Sequence, residues 1–162
     1  MRGGVRVGVD VGKARIGLAR SDRDGILATP LETIPRAHTV LPGGDRADVS
    51  RIAEVALTIN AIEIVVGLPI SLSGAQTEST RDARAFATRV ARKTPQIPVR
   101  LVDERLSTVS AQDALKMSGK RSKGSRSVID QIAAVIILQH ALDAERGSGL
   151  PAGFLLESHK GP

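Results

Sequence analysis

Hydrophobic and polar positions along the chain fall into two rhythms. Val5, Val7, Val9 and Val11 alternate with Arg6, Gly8, Asp10 and Gly12, the period of two that marks a half-buried strand. A tight turn over 12–15 leads into Ile16-Gly17-Leu18-Ala19, and residues 27–34 offer a third strand. Three adjacent strands on short connections predict an antiparallel meander. Residues 35–44, with Pro35, His38 and a Gly pair, read as loop. Beyond them the spacing turns helical: Val49, Ile52, Ala53, Ala56 and Ile59 share one face, with Asp45 or Asp48 as the expected N-cap. A β-branched strand over 62–66 ends at Gly67-Leu68-Pro69. A second helix is expected over 77–93, with Ser79 and Asp82 at capping-box spacing and Pro95 and Pro98 beyond its end. Residues 99–102 form another buried strand, closing on Asp103-Glu104-Arg105. A third helix is expected over 108–117, with Gly119 as its C′ residue, and a long apolar one over 128–142.

The order β-β-β-α-β-α-β-α implies an α/β domain with a mixed five-stranded sheet flanked by helices. A meander followed by crossover βα units leaves few topologies, of which the RNase H-like fold is the best known. At 162 residues the chain suits one such domain, assigned to 1–146, with a flexible tail over the Gly/Pro/Ser-rich residues 147–162.

Composition narrows the chemistry. The chain has no Cys, which excludes disulfides, thiolate zinc sites and cysteine nucleophiles. No secretory h-region and no 18-residue apolar run is present, so a soluble cytoplasmic protein without a membrane partner is expected. Net charge is +6, and Lys116, Lys120, Arg121, Lys123 and Arg126 supply +5 of it within residues 116–126, where no acid occurs. One compact basic stretch on a near-neutral body suggests a docking site for a polyanion. Phe86 and Phe154 are the only aromatic residues, so no stacking platform for bases exists. Any nucleic acid would be held through phosphate charge and backbone shape.

Against this background three groups of carboxylates stand out. Asp10 sits mid-strand among valines, on the face it shares with Gly8 and Gly12. Asp is depleted in strands, and an ionised carboxylate away from water needs a positive partner. Asp103 and Glu104 end a buried strand, where ligands of open α/β sheets collect. Alternation puts Arg100, Val102 and Glu104 on one face and Leu101 and Asp103 on the other, so only one of the two acids can enter a shared site. Arg105 can orient either acid or touch a phosphate. Asp130 falls in the first turn of the apolar helix, where the dipole favours a negative charge by about 0.3–1 kcal/mol. Ala133 and Ala134, three and four positions on, would let that helix approach the sheet closely. Hard oxygen ligands without a His cluster suit Mg²⁺ or Mn²⁺, and two such ions could activate water and steady the leaving oxygen of a phosphodiester. The histidines His38, His140 and His159 are scattered and show no ligand spacing.

Four stretches form a larger pattern. The first is Gly8-Val9-Asp10-Val11-Gly12-Lys13-Ala14-Arg15-Ile16-Gly17-Leu18-Ala19, and the second is Val65-Val66-Gly67-Leu68-Pro69 with Gly74. Asp103-Glu104-Arg105-Leu106-Ser107-Thr108-Val109 and the run from Ile129-Asp130-Gln131 to Gln139 follow in order. In these four blocks the sequence resembles the YqgF family, the RuvC-like Holliday junction resolvases also described as pre-16S rRNA nucleases. The resemblance implies a RuvC-related RNase H-like fold and a nuclease maturing the 5′ end of small-subunit ribosomal RNA. It carries the family's motif acids onto Asp10, Glu104 and Asp130, as catalytic residues and metal ligands, and sets Lys13 and Arg15 near the substrate backbone. The implied partners are precursor rRNA and ribosomal particles, or branched DNA, with the protein a monomer or homodimer. Three alternatives stand beside rRNA trimming. Junction resolution needs two coordinated cuts and hence a symmetric dimer. A sugar-kinase or actin type of ATPase opens similarly but needs two such domains. A non-catalytic assembly factor would bind RNA through the basic stretch alone.

Neutralising Lys120, Arg121 and Lys123 together should weaken nucleic-acid binding for all sequences alike. Binding titrations across a salt series should show the log–log slope flattened by about one unit for each phosphate no longer neutralised. Unchanged affinity at every salt level would reduce the stretch to a solvated loop.

Overall fold

The computed structural model describes residues 1–37, 44, 46–70, 73–104 and 126–156, the last span with its side chains from 129 onward. The alternating valines form β1 (Arg6–Val11), which a hairpin joins to β2 (Arg15–Ser21) and thence to β3 (Ala28–Pro35), all antiparallel as the meander requires. Next come α1 (Ala47–Thr58), β4 (Glu63–Leu68), α2 (Glu78–Lys93) and β5 (Val99–Asp103). The last helix, named α3 here, spans Arg126–Ser148, and β6 spans Phe154–Leu156. The strands form one mixed sheet in the order β3-β2-β1-β4-β5-β6, with β4 parallel to both β1 and β5. The helix expected over 108–117 lies outside the described residues.

Side-chain alternation divides the sheet cleanly. Val7, Val9, Ile16, Leu18, Ile64, Val66, Val99 and Leu101 point to one face, where Ile52 of α1 and Phe86 of α2 complete the larger core. Ala19, Val65 and Val102 point to the other face, against Ala134, Ile137, Leu138 and Ala141 of α3. The second face is built largely from residues with little or no side chain. An ideal Cβ on Gly8 would stand 2.7 Å from Leu138 Cβ and 3.0 Å from the Ala134 carbonyl oxygen. At Gly17 the same atom would overlap the Asp130 carbonyl oxygen. The helix therefore rests backbone against backbone on β1 and β2.

Two arginines at the far end fix where α3 lies along that face. Arg6, 1% exposed, points from the start of β1 at Glu145, with its Nη2 donating at 3.4 Å. Arg2 grips the same carboxylate in fork fashion, with Nε to Oε2 at 2.9 Å and Nη2 to Oε1 at 2.8 Å. These bonds hold the Glu145 carboxyl down at about 2. Leaving either partner alone in this buried place would strand a charge, so the network fixes register more than it adds stability.

Several local expectations are corrected. The sheet has six strands rather than five, because Phe154–Leu156 within the supposed tail pairs antiparallel with Val99–Leu101. The N-cap of α1 is Arg46, without a side-chain bond; Asp48 instead sits inside the first turn and accepts from the amides of Ala37 (3.0 Å) and Val49 (2.8 Å). The capping box of α2 is made by Thr77 and Thr80, ahead of the expected Ser79, because Asp82 is engaged by Arg36. Asp130 lies beyond the first turn of α3, since the helix begins at Arg126. The macrodipole is thus a weak reason for an acid there. Among the described residues no helix is long and apolar enough to cross a membrane.

Gly17→Ala should destabilise the protein by about 1–3 kcal/mol, because the added methyl must push α3 off the sheet. Chemical denaturation would show it as a lowered midpoint at unchanged slope. A neutral result would mean the helix is free to lift.

Candidate active site

The register of the sheet lines up the site. Asp10 faces Gly17 across the β1–β2 ladder, and Gly67 lies one residue beyond the Val9–Val66 pair on the other flank. A row of glycine, aspartate, glycine results, on the face that α3 covers. Each glycine admits one more acid. Over Gly17 passes the Asp130 backbone. Over Gly67 lies Glu104, whose Cγ and Cδ would be 2.7 and 2.9 Å from an ideal Cβ there. A methyl on either glycine would occupy space the neighbouring acid now uses.

Sheet and helix thus bring Asp10 and Glu104 into hydrogen-bond contact and set Asp130 beside them, its backbone over Gly17. Glu104 is the member of the Asp103-Glu104 pair that turns inward, as strand alternation requires. It shares a side-chain hydrogen bond with Asp10. Burial, first, and then the charge of Asp10 push the Glu104 carboxyl up to about 8. Burial and the charge of Asp130 push Asp10 up to about 6, against the opposing effect of the bond from Glu104. The two carboxyls titrate as one pair, both held above the ordinary carboxylate range. Two carboxylates forced together out of water keep a proton between them unless another positive charge takes its place.

Asp130 is turned differently. Its Oδ2 accepts from Arg15 Nε at 2.7 Å, in a pair whose side chains are 33% (Arg15) and 19% (Asp130) exposed. Among the described residues no group of three acids closes tightly enough to enclose an ion. The donor chemistry nevertheless fits a hard divalent cation. All the donors are carboxylate oxygens, they are desolvated, and Asp10 and Glu104 now need a proton to coexist.

The two basic residues of the first hairpin separate. Arg15 joins the acids. Lys13 lines a groove of about 580 Å³ beside the start of α2, with Arg36, Ser79 and Arg81. Arg36 was not legible as a site residue, because it follows a strand end in what reads as loop. Its Nη1 donates to the Gly12 carbonyl oxygen at 2.9 Å, and the guanidinium spans both oxygens of Asp82 at 2.9 and 3.1 Å. It also lies over the Phe86 ring, 5.2 Å from the centroid. This clamp holds the turn that carries Lys13 and follows Asp10. No periodicity or motif signals it. Arg105, Lys120, Arg121 and Lys123 lie outside the described residues, as does the Arg126 side chain.

A family model described as RuvX, Holliday junction resolvase, matches residues 4–144. The protein named "Putative pre-16S rRNA nuclease" from Clavibacter michiganensis subsp. michiganensis is 60% identical over 160 residues, 99% of this chain and 96% of its own length. Its namesake from Leifsonia xyli subsp. xyli is 56% identical over 162 residues, covering both chains in full. Among solved structures, T. thermophilus RuvC in complex with Holliday junction substrate aligns with a TM-score of 0.56 at 17% identity, over 94% of this chain and 99% of that one. That last likeness is one of fold.

Because the folded state holds Glu104 above the ordinary carboxylate range, it binds more protons than the unfolded chain at intermediate pH. Stability should therefore be greatest below about pH 4.5 as far as this group is concerned, and fall as pH rises toward 8. In chelator, Glu104→Gln should remove that fall and be the more stable protein at pH 8–9 by on the order of 2 kcal/mol. Urea unfolding of both proteins from pH 5 to 9 measures it. Parallel pH profiles would show that Glu104 is not held protonated.

Proposed function

The chain belongs to the RuvX family, known also as YqgF, and on that premise we propose that it is a divalent-metal-dependent nuclease with Asp10, Glu104 and Asp130 as its catalytic carboxylates. The reaction is phosphodiester hydrolysis, and the substrate is precursor 16S rRNA, trimmed at its 5′ end. The relatives at 60% and 56% identity bear the name of that activity. The observation that carries the reading is the hydrogen-bonded Asp10–Glu104 pair, set beside Asp130 on a glycine-cleared stretch of sheet.

Asp10 and Glu104 are the residues that would hold Mg²⁺ or Mn²⁺, with Asp130 completing the set. When bound, such a cation polarises the phosphodiester and lowers the pKa of an attacking water. The chain's own contribution is placement. The sheet fixes Asp10 between two glycines, and β5 delivers Glu104 over one of them. Val102 and Ile137 pack together beside the pair and line, with Glu104, a cavity of about 510 Å³. Lys13 and Arg15 face the substrate backbone, joined by Arg105 and by Lys120, Arg121, Lys123 and Arg126 from the basic stretch. The setting is the cytoplasm, on ribosomal particles in assembly.

The second reading is cleavage of branched DNA, favoured by the description of the family and by the RuvC fold. It requires two sites related by symmetry and hence a homodimer.

Asp10→Asn should lower cleavage about a thousandfold or more, a loss of about 4 kcal/mol of transition-state stabilisation, with the fold kept. Wild type and variant are to be assayed side by side on precursor rRNA and on a four-way junction, in Mn²⁺ and in Mg²⁺. Preference for the RNA supports trimming. A faster cut of the junction by a sedimenting dimer would favour resolution, and a fully active Asp10→Asn would remove the site altogether.

A further inference from the structure

Arg15 occupies an odd position for a residue that faces a nucleic-acid backbone, because its guanidinium is already spent on an acid of the site. Its Nε–Oδ2 contact with Asp130, at 2.7 Å, is the shortest kind of charge-assisted hydrogen bond. Three features make that contact an exchangeable one. Arg15 shares the α3-covered face with Gly17, two residues on, and the Asp130 backbone is seated on Gly17, so the two side chains meet with both main chains held. The pair lies at the rim, a third of the Arg15 side chain being open to solvent. Only the Nε edge of the guanidinium is engaged among the described residues; the Nη pair is left for a second oxyanion. The buried arginine at the other end of the same helix differs in the last two respects: Arg6 is 1% exposed and bonded to backbone carbonyls as well as to Glu145.

We infer that Arg15 is a positioning residue that holds Asp130 away from the Asp10–Glu104 pair until a phosphate of the nucleic acid draws the guanidinium off. The inference rests on the nuclease reading of this site. In the absence of nucleic acid Arg15 is the cation that Asp130 carries, and the site has only two arms turned inward. A backbone phosphate offers the guanidinium two oxygens in place of one, the planar geometry that arginine matches best. Released, Asp130 can turn toward Asp10, on which its charge already acts. Metal affinity and nucleic-acid affinity then support one another, because coupling between two ligands is reciprocal. The device would keep the site from assembling fully on stray cations when no substrate is present.

The test reads metal binding rather than turnover. Mn²⁺ is titrated into the full chain, with free Mn²⁺ followed by electron paramagnetic resonance, with and without a phosphorothioate RNA oligonucleotide that resists cleavage. Wild type should bind Mn²⁺ more tightly when the oligonucleotide is present. Arg15→Gln should bind it about tenfold or more tightly without the oligonucleotide, since a neighbouring positive charge and a competitor for Asp130 are both gone. The oligonucleotide should then add little. Arg15→Lys, which keeps the charge, should stay near wild type, and circular dichroism checks that each variant is folded. A purely structural role for Arg15 predicts the opposite sign, weaker Mn²⁺ binding in Arg15→Gln, and that result, or a wild type indifferent to the oligonucleotide, overturns the inference. Wild type that binds no Mn²⁺, or binds it equally well as Asp10→Asn, would sink the nuclease reading and this inference with it. Mn²⁺ binding that depends on Asp10 but does not tighten in Arg15→Gln would sink the inference alone.

Discussion

The close approach of α3 to the sheet is the contact on which the rest of the molecule depends. Helix and sheet ordinarily keep their backbones apart by a layer of side chains. Here Gly8 and Gly17 remove that layer from β1 and β2, and the backbone carbonyls of Ala134 and Asp130 come down into the space. The apolar contacts of Leu138, Ile137 and Ala134 hold the helix down. Its position along the strands is decided elsewhere, by Arg2 and Arg6 on Glu145. From Glu145 to Asp130 is fifteen residues of helix, a span of about 22 Å. A buried charge pair at one end of the domain thus sets where a carboxylate stands at the other.

The two ends of α3 use the same chemistry to different effect. At the Glu145 end, burial makes the ion pair costly to break and its geometry singular. At the Asp130 end the pair is partly open to water, and its acid has neighbours of its own sign. The acids around Asp10 are in conflict: burial and mutual repulsion raise Glu104 and Asp10 well above the ordinary carboxylate range. Such conflict is destabilising in the folded chain alone, and it is the signature of groups arranged for a charge that comes from outside. The glycine row, the Arg36 clamp on the Gly12 turn and the Glu145 network hold in place the backbone that carries those side chains.

Much of this was legible in the sequence, and for identifiable reasons. Period-two valines and the β-branched runs at 62–66 and 99–102 place the central strands to within a residue or two. Alternation along β5 correctly separates Glu104 from Asp103, and the bare Gly8–Gly12 face of β1 correctly signals close approach. What was hidden is pairwise and long-range. Gly17 and Gly67 look like ordinary strand glycines until the ladder sets them either side of Asp10. Arg15 bonds an acid 115 positions away, and Arg36 one that is 46 away; no local pattern encodes either. The sixth strand was missed because Phe154–Leu156 is too short and too exposed to show a period, and pairs only because the edge of β5 is there to receive it.

The glycine row has a bearing on how such a protein can change over generations. Residues of α3 that face solvent can drift freely, and those facing the sheet can exchange one aliphatic group for another of similar bulk. The sheet has no such latitude: a single extra carbon at position 17 or 67 is transmitted straight to a carboxylate. Variation in this domain is therefore expected to accumulate on the helix and spare the strands beneath it, the reverse of a helix that reads a partner while resting on an indifferent scaffold.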